Sequence, residues 1–136
     1  MDQNIRYWIL PSNSRKFRME ESLRANNGLL DWRCKGMRVG DIVFMYKTMP
    51  VGCIKYMMVV TKANFGKSEA LNQDRFWIDM VQFNNGRGIY TRLKLLETLD
   101  IKRLDINTLR KYGIKGNIQT KRSCPQEALK YILSTL

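Results

Sequence analysis

Alternation of apolar and polar positions opens the chain. In residues 5–10, IRYWIL, Ile5, Tyr7 and Ile9 fall on one side and Arg6, Trp8 and Leu10 on the other, the period-two pattern of a strand. Pro11-Ser12-Asn13-Ser14 then predicts a loop. Residues 19–25, MEESLRA, carry Glu20 and Glu21 early and Arg24 late, the charge order a helix dipole favours, and Asn26-Asn27-Gly28 stops that helix. Residues 42–46, IVFMY, are β-branched and aromatic and follow Gly40-Asp41, which predicts a turn into a buried strand. Met49-Pro50-Val51-Gly52 predicts another turn, and residues 54–62, IKYMMVVTK, the partner strand of a hairpin. Residues 63–72 are polar and predict a mobile loop.

Residues 75–83, RFWIDMVQF, alternate again and predict a strand. Asn84-Asn85-Gly86 supplies a hairpin turn, and residues 89–93 a short returning strand. Residues 95–100 and 106–112 predict helices, the second ended by Gly113. Residues 113–122, GIKGNIQTKR, form a glycine-punctuated basic loop. Ser123-Cys124-Pro125-Gln126 has the spacing of a capping box ahead of a last helix through Tyr131 and Leu133. With no repeat and no linker, residues 1–136 read as one domain. Five or so strands with short helices between them predict the α+β class and a small, closed or nearly closed β-barrel.

Residues 31–47, DWRCKGMRVGDIVFMYK, organise the rest. One reading is a core strand with Trp32 packed at its start. The other is a pocket wall, with Trp32 at the rim in a loop between Asp31 and Arg33, and Tyr46 near the far end of the strand. Trp77, inside an alternating run, reads as core.

Charge changes the picture most. Lys and Arg number 24 against 12 acidic residues, a formal charge of +12 on 136 residues. Such an imbalance favours a polyanionic partner, above all nucleic acid. No helix is both basic on one face and strongly apolar on the other, so a membrane surface is not indicated. The first ten residues hold no hydrophobic signal core. Cys34, Cys53 and Cys124 are odd in number and widely spaced, which predicts free thiols in a reducing cytoplasm and no zinc site. Histidine is absent, which removes Ser-His-Asp and Cys-His dyads, histidine ligands and a histidine base. No phosphate-binding glycine loop and no cofactor motif is present; the sequence argues for binding rather than catalysis.

YWILPSN near the start, DW before a turn, VGDIVFMYKTMP and YGIKGNIQTKR together resemble the EVE domains of the PUA-like superfamily, in an order covering nearly the whole chain. The resemblance implies a PUA-like small β-barrel with short peripheral helices. It also implies recognition of modified bases, 5-methylcytosine among them, as in domains that accompany restriction systems. By motif it carries Trp8, Ser12, Trp32 and Tyr46 onto a base pocket. The chain departs from longer EVE members, which insert an Arg- and Asn-rich loop where only residues 33–38 intervene here.

Reading one base in a duplex requires taking it out of the stack, at roughly a few kcal/mol, and an aromatic platform returns about 1–3 kcal/mol per base. Ser12 and Asn13 have the short polar side chains for a base edge, and Asp31 is a candidate acceptor for an exocyclic amine. Lys47, Lys115, Lys121 and Arg122 are the candidate phosphate contacts. The sequence thus predicts a non-catalytic nucleic-acid-binding domain, with DNA ahead of RNA, flipping a modified base into an aromatic pocket, and a restriction-type nuclease as a possible partner in trans. Three alternatives stay open: an RNA-binding module of the same fold, a metal-dependent nuclease using Asp79 or Asp100 with a lysine, and an acidic protein partner.

Overall fold

Strand β3 (Ile42–Lys47) is buried at every position. The sheet is built outward from it in this computed structural model, which describes residues 4–78 and 88–136. β1 (Tyr7–Ser12) lies parallel along one edge, from Tyr7 opposite Ile42 to Ser12 opposite Lys47. β4 (Cys53–Phe65) lies antiparallel along the other, from Val59 opposite Ile42 to Cys53 opposite Lys47. β5 (Tyr90–Thr98) and then β2 (Leu29–Arg33) extend the sheet beyond β4, and β6 (Arg122–Ser123) extends it beyond β1. The strand order is β2-β5-β4-β3-β1-β6.

Period-two alternation divides β3 between two cores. Phe44 and Tyr46 join Ile9 and Ile54 on the face covered by α2 (Ile106–Arg110) and α3 (Gln126–Ser134), through Leu109, Leu129 and Ile132. Val43 and Met45 join Leu10, Met58 and Leu30 on the other face, covered by Met19 and Leu23 of α1 (Met19–Ala25) and by Phe17. Each such side chain contributes about 1.5–3 kcal/mol by leaving water.

The mixed α+β class matches expectation, but the expected barrel does not close. Among the described residues no ladder joins β2 to β6. The sheet is instead curled and open. Its curl has a local cause: the register of β4 against β5 shifts between Met57 and Met58, between Val60 and Lys62, and between Lys62 and Phe65. Such irregularities bend a strand and increase its twist. The result carries Trp32 of β2 to within 5.2 Å, ring centre to ring centre, of Phe17 beyond the end of β1.

Four other expectations change. Residues 29–33 form a strand rather than a loop, because they pair with β5 from Leu29 opposite Lys94 to Arg33 opposite Tyr90. Residues 95–98 continue β5 rather than forming a helix, since pairing with β4 overrides the helical spacing of their leucines. The polar stretch 63–72 begins as strand and continues into a 3-10 turn at Lys67–Glu69. Before Trp77 the chain makes another 3-10 turn, Asp74–Phe76, and Trp77 joins Phe17 through a single antiparallel bridge. Residues 79–83 of the strand expected at 75–83, Asp79 among them, and the turn at Asn84-Asn85-Gly86 lie outside the described residues. Helix α1 spans the expected residues, and Gly113, at φ +97°, follows α2. The Ser123 capping box does not form: Ser123 pairs with Trp8 in the β6–β1 ladder, and Pro125 precedes α3.

Lys47, at the end of β3, is 4% exposed. Its ammonium meets Glu20 of α1 at 2.7 Å, and the same carboxylate oxygen accepts from Tyr56 Oη at 2.6 Å and Lys55 Nζ at 3.2 Å. Burial alone raises the Glu20 pKa, but hydrogen bonds from Lys47 and Tyr56 outweigh it and hold the carboxyl at about 2. This folded value lies below that of the unfolded chain. The carboxylate therefore stabilises the fold fully above the ordinary carboxylate range, and the contribution fades as pH falls from about 4.5 towards about 2. Glu20→Gln should lower the thermal midpoint at neutral pH and flatten its decline over that acid range, in melts recorded across pH.

Candidate functional site

Two strands and two connecting segments meet where the sheet curls over. The β1 terminus delivers Pro11, Ser12 and Asn13, and β2 delivers Trp32. Phe17 lies beneath, its ring centre 5.2 Å from Trp32 and 4.4 Å from Trp77. Trp32 and Trp77 stack, at 5.6 Å and 25° between planes. Both tryptophans are half-buried, with one side in the protein and the other on an open cavity of about 540 Å³. Ser12, Asn13, Thr48 and Gln119 give the cavity polar atoms, and Lys16 a cation at its rim.

The polar groups are held in place. Ser12 O accepts from Thr48 N at 2.9 Å, joining the ends of β1 and β3, while Ser12 Oγ donates to Tyr46 O at 3.4 Å. Asn13 Oδ1 accepts from Arg15 N at 2.9 Å, and its carbonyl accepts from Lys16 N and Phe17 N. That turn aims the segment towards Phe17. A flat heteroaromatic ring is the shape such a cavity suits: apolar walls for its face, amide and hydroxyl groups for its edge.

Of the six residues expected at a base pocket, Ser12, Asn13 and Trp32 line this cavity. Tyr46 packs into the core on the opposite face of β3 and reaches an adjoining hollow of about 260 Å³ that shares Thr48 and Gln119 with the cavity. Trp8 lies elsewhere: its Nε1 donates to Asp41 Oδ2 at 2.9 Å, with Arg6 and Lys121 over its ring at 5.0 and 4.8 Å. Asp31 is not placed to read a base. Neighbouring residues of a strand face opposite ways, so Asp31 turns from Trp32 to the other face, where it is 2% exposed. There it accepts from Arg92 Nε and Nη2 at 2.8 and 2.9 Å and from Leu71 N at 2.7 Å.

The expected phosphate contacts also separate. Lys47 is buried against Glu20 and presents no charge to a ligand. Arg122 donates to the carbonyls of Lys115 and Asn117, both at 2.7 Å, and so shapes the 113–122 loop. Lys121 donates to Lys35 O at 2.6 Å beside Trp8 and lines a second hollow, of about 540 Å³, with Arg33 and Lys35. Lys115 is exposed. The cations that the sequence reading missed are thus Lys16, Arg33 and Lys35; the other missed residues are Trp77, Thr48 and Gln119. Trp77 was hidden because its partners, Phe17 and Trp32, are remote in sequence.

Nucleophilic and metal chemistry find little to use among the described residues. Burial raises the thiols of Cys34, Cys53 and Cys124, the last to about 12, which keeps them protonated. No group of three acidic or cysteine side chains is placed to hold a metal ion among the described residues. Asp100 accepts from Lys102 N at 3.1 Å and closes a surface turn.

The fold is shared with solved structures. An ASCH protein from Zymomonas mobilis superposes with a TM-score of 0.67 at 10% identity, over 95% of this chain and 94% of that one. The human THYN1 protein, solved in complex with 5-methylcytosine containing DNA, superposes with a TM-score of 0.63 at 14% identity, over 95% and 96%. The DUF55 domain of human thymocyte nuclear protein 1 gives 0.59 at 15%, over 94% and 96%. No protein-family model and no curated protein sequence matches the chain. The chain thus shares the fold of these ASCH and DUF55 domain structures. Identities this low carry the fold alone.

The opposed placement of Asp31 and Trp32 is testable. Arg92→Ala leaves the Asp31 carboxylate, whose side chain is 0% exposed, without its cation. It should cost roughly 3–5 kcal/mol in chemical denaturation, while leaving the cavity side of β2 unaltered in the folded protein.

Proposed function

We propose that this chain is a nucleic-acid-binding domain that takes a modified base, foremost a modified cytosine in DNA, out of the stack and holds it against Trp32 and Trp77. The observation that carries this reading is the open cavity with a stacked tryptophan pair as its wall and Ser12, Asn13, Thr48 and Gln119 around it. The human protein of like fold solved with 5-methylcytosine containing DNA supports it.

The energetics are coherent. Extruding a base costs roughly a few kcal/mol, and aromatic stacking returns about 1–3 kcal/mol per base. A methyl group on an apolar wall adds about 0.8 kcal/mol. Charge supplies the rest: at +12 overall, with Lys16 at the rim and Arg33 and Lys35 on the neighbouring hollow, the surface favours phosphate. The domain acts by binding and breaks no bond itself; any cleavage falls to a separate nuclease.

A binding screen over matched oligonucleotides with cytosine, 5-methylcytosine, 5-hydroxymethylcytosine or N6-methyladenine, in single and double strands of DNA and RNA, tests the reading. A modified cytosine in DNA should bind tightest. Equal affinity for every base, or a preference for RNA throughout, refutes it. Trp32→Ala and Trp77→Ala should each weaken binding by about 1–3 kcal/mol. Trp32→Ala should also lower stability, by about 0.5–1.5 kcal/mol for each aromatic partner lost, because Trp32 packs on both Phe17 and Trp77.

Salt gives an independent check. Log affinity for duplex DNA should fall with log salt at a slope of about −0.9 per phosphate contacted. Lys16→Ala and Lys115→Ala should each reduce that slope by about one such unit, without changing which base is preferred.

A further inference from the structure

Extruding a base from a duplex leaves a gap, and the turn between β3 and β4 stands beside the cavity that would receive the base. Thr48 is common to both: it lines the cavity, and it begins the turn. At the tip Met49 is 65% exposed and Val51 42% exposed. The base of the turn is fixed. Thr48 N donates to Ser12 O at 2.9 Å, Ile54 N to Leu104 O at 3.0 Å, and Ile106 N to Gly52 O at 2.8 Å. An apolar tip therefore projects from a rigid stem at the cavity mouth.

Met49 also borders the adjoining hollow, facing Asn117 and Gln119 of the 113–122 loop. Its thioether lies back over Gly52, where a Cβ would come within 2.6 Å of Sδ. An unbranched methionine can swing from such a position and fill an irregular gap. A cation adjoins that loop: Arg110 donates to Asn117 Oδ1 at 3.3 Å, and Lys115, two residues before Asn117, is exposed. The apolar tip therefore stands beside a loop that carries positive charge.

We propose that this turn is a wedge, with Met49 leading and Val51 behind it, that enters duplex DNA and takes the place of the extruded base. The proposal rests on the base-flipping reading above. Apolar side chains between base steps offset part of the unstacking cost and hold the duplex open. Met49 is a positioning residue in this scheme: it acts on the stack that the base leaves and does not touch the base.

The wedge is needed only where there is a stack to open, and this separates it from the cavity. The probes are a duplex and a single strand bearing the same 5-methylcytosine, each with 2-aminopurine as its neighbour. Met49→Ser should weaken duplex binding about tenfold, leave single-strand binding within about twofold, and diminish the 2-aminopurine rise that accompanies duplex binding. Val39→Ser alters an exposed apolar residue (68% exposed) outside the turn and should change none of these. Thermal midpoints should stay close to the parent, since both side chains face water. Equal losses on duplex and single strand, or no loss on either, overturn the wedge while leaving modified-base recognition intact. Binding of the modified base only in single strands also overturns it. No preference for the modified base in either form removes the flipping reading and the wedge together.

Discussion

A strand with no face in water must have every polar group on it answered from inside the protein. β3 carries that constraint at both ends. Asp41, just before it, is 3% exposed and accepts from Arg6 Nη2 at 2.8 Å, Trp8 Nε1 at 2.9 Å and Arg38 N at 3.0 Å. Burial raises its pKa, yet the Arg6 hydrogen bonds prevail and hold the carboxyl below its usual range. At the other end Lys47 requires Glu20, and the same carboxylate draws in Lys55 and Tyr56. A charge buried without its partner costs several kcal/mol. The acid thus ties β1 to the turn before β3, and the lysine ties α1 to β3 and β4.

The cavity follows from those ties. With α1 held by Glu20, the segment just before it lays Phe17 under the curled edge of the sheet, where Trp32 and Trp77 close over it. Three aromatic rings at 4.4–5.6 Å set the wall, and such contacts resist collapse of the open side better than flexible aliphatic chains would. The polar atoms opposite come from strand ends whose backbones are already bonded, Ser12 to Thr48 above all. A site placed on strand termini in this way loses little order when a ligand arrives.

Much of this was legible in the chain because alternation and turn chemistry are local signals. β1, α1, β3, the first part of β4 and the last two helices announce themselves in that way. β2 did not: Leu29–Arg33 is only five residues, too short for its alternation to stand out, and the arginine that makes buried Asp31 tolerable is far along the chain, at Arg92. Missing that strand also misplaced the site, since in a strand Asp31 and Trp32 must point to opposite faces. The same parity explains why Ser12 and Trp32 were found together while Tyr46 turns to the other face; Lys47 shares their face but is buried against Glu20. Trp77 and Gln119 reach the cavity only through tertiary proximity, and no local pattern marks them.

In the proposed function, charge and cavity divide the work of recognition. Half of the described acids are taken up in ion pairs: Glu20, Asp31, Asp41, Glu69 and Asp74 each pair with lysine or arginine. Among the remaining cations Lys16 lines the cavity, Arg33 and Lys35 line the second hollow and Lys115 is exposed; on that proposal they draw in any polyanion, whatever its sequence. Discrimination must therefore come from the cavity. A methyl group is worth only about 0.8 kcal/mol by burial, less than a tenfold preference. Larger ratios arise when a wrong ligand leaves buried polar groups unpaired. The polar groups a bound base would cover in this cavity belong to Ser12, Asn13, Thr48 and Gln119, so on the base-flipping proposal the hydrogen-bonding edge of the base, more than the methyl on it, sets the preference.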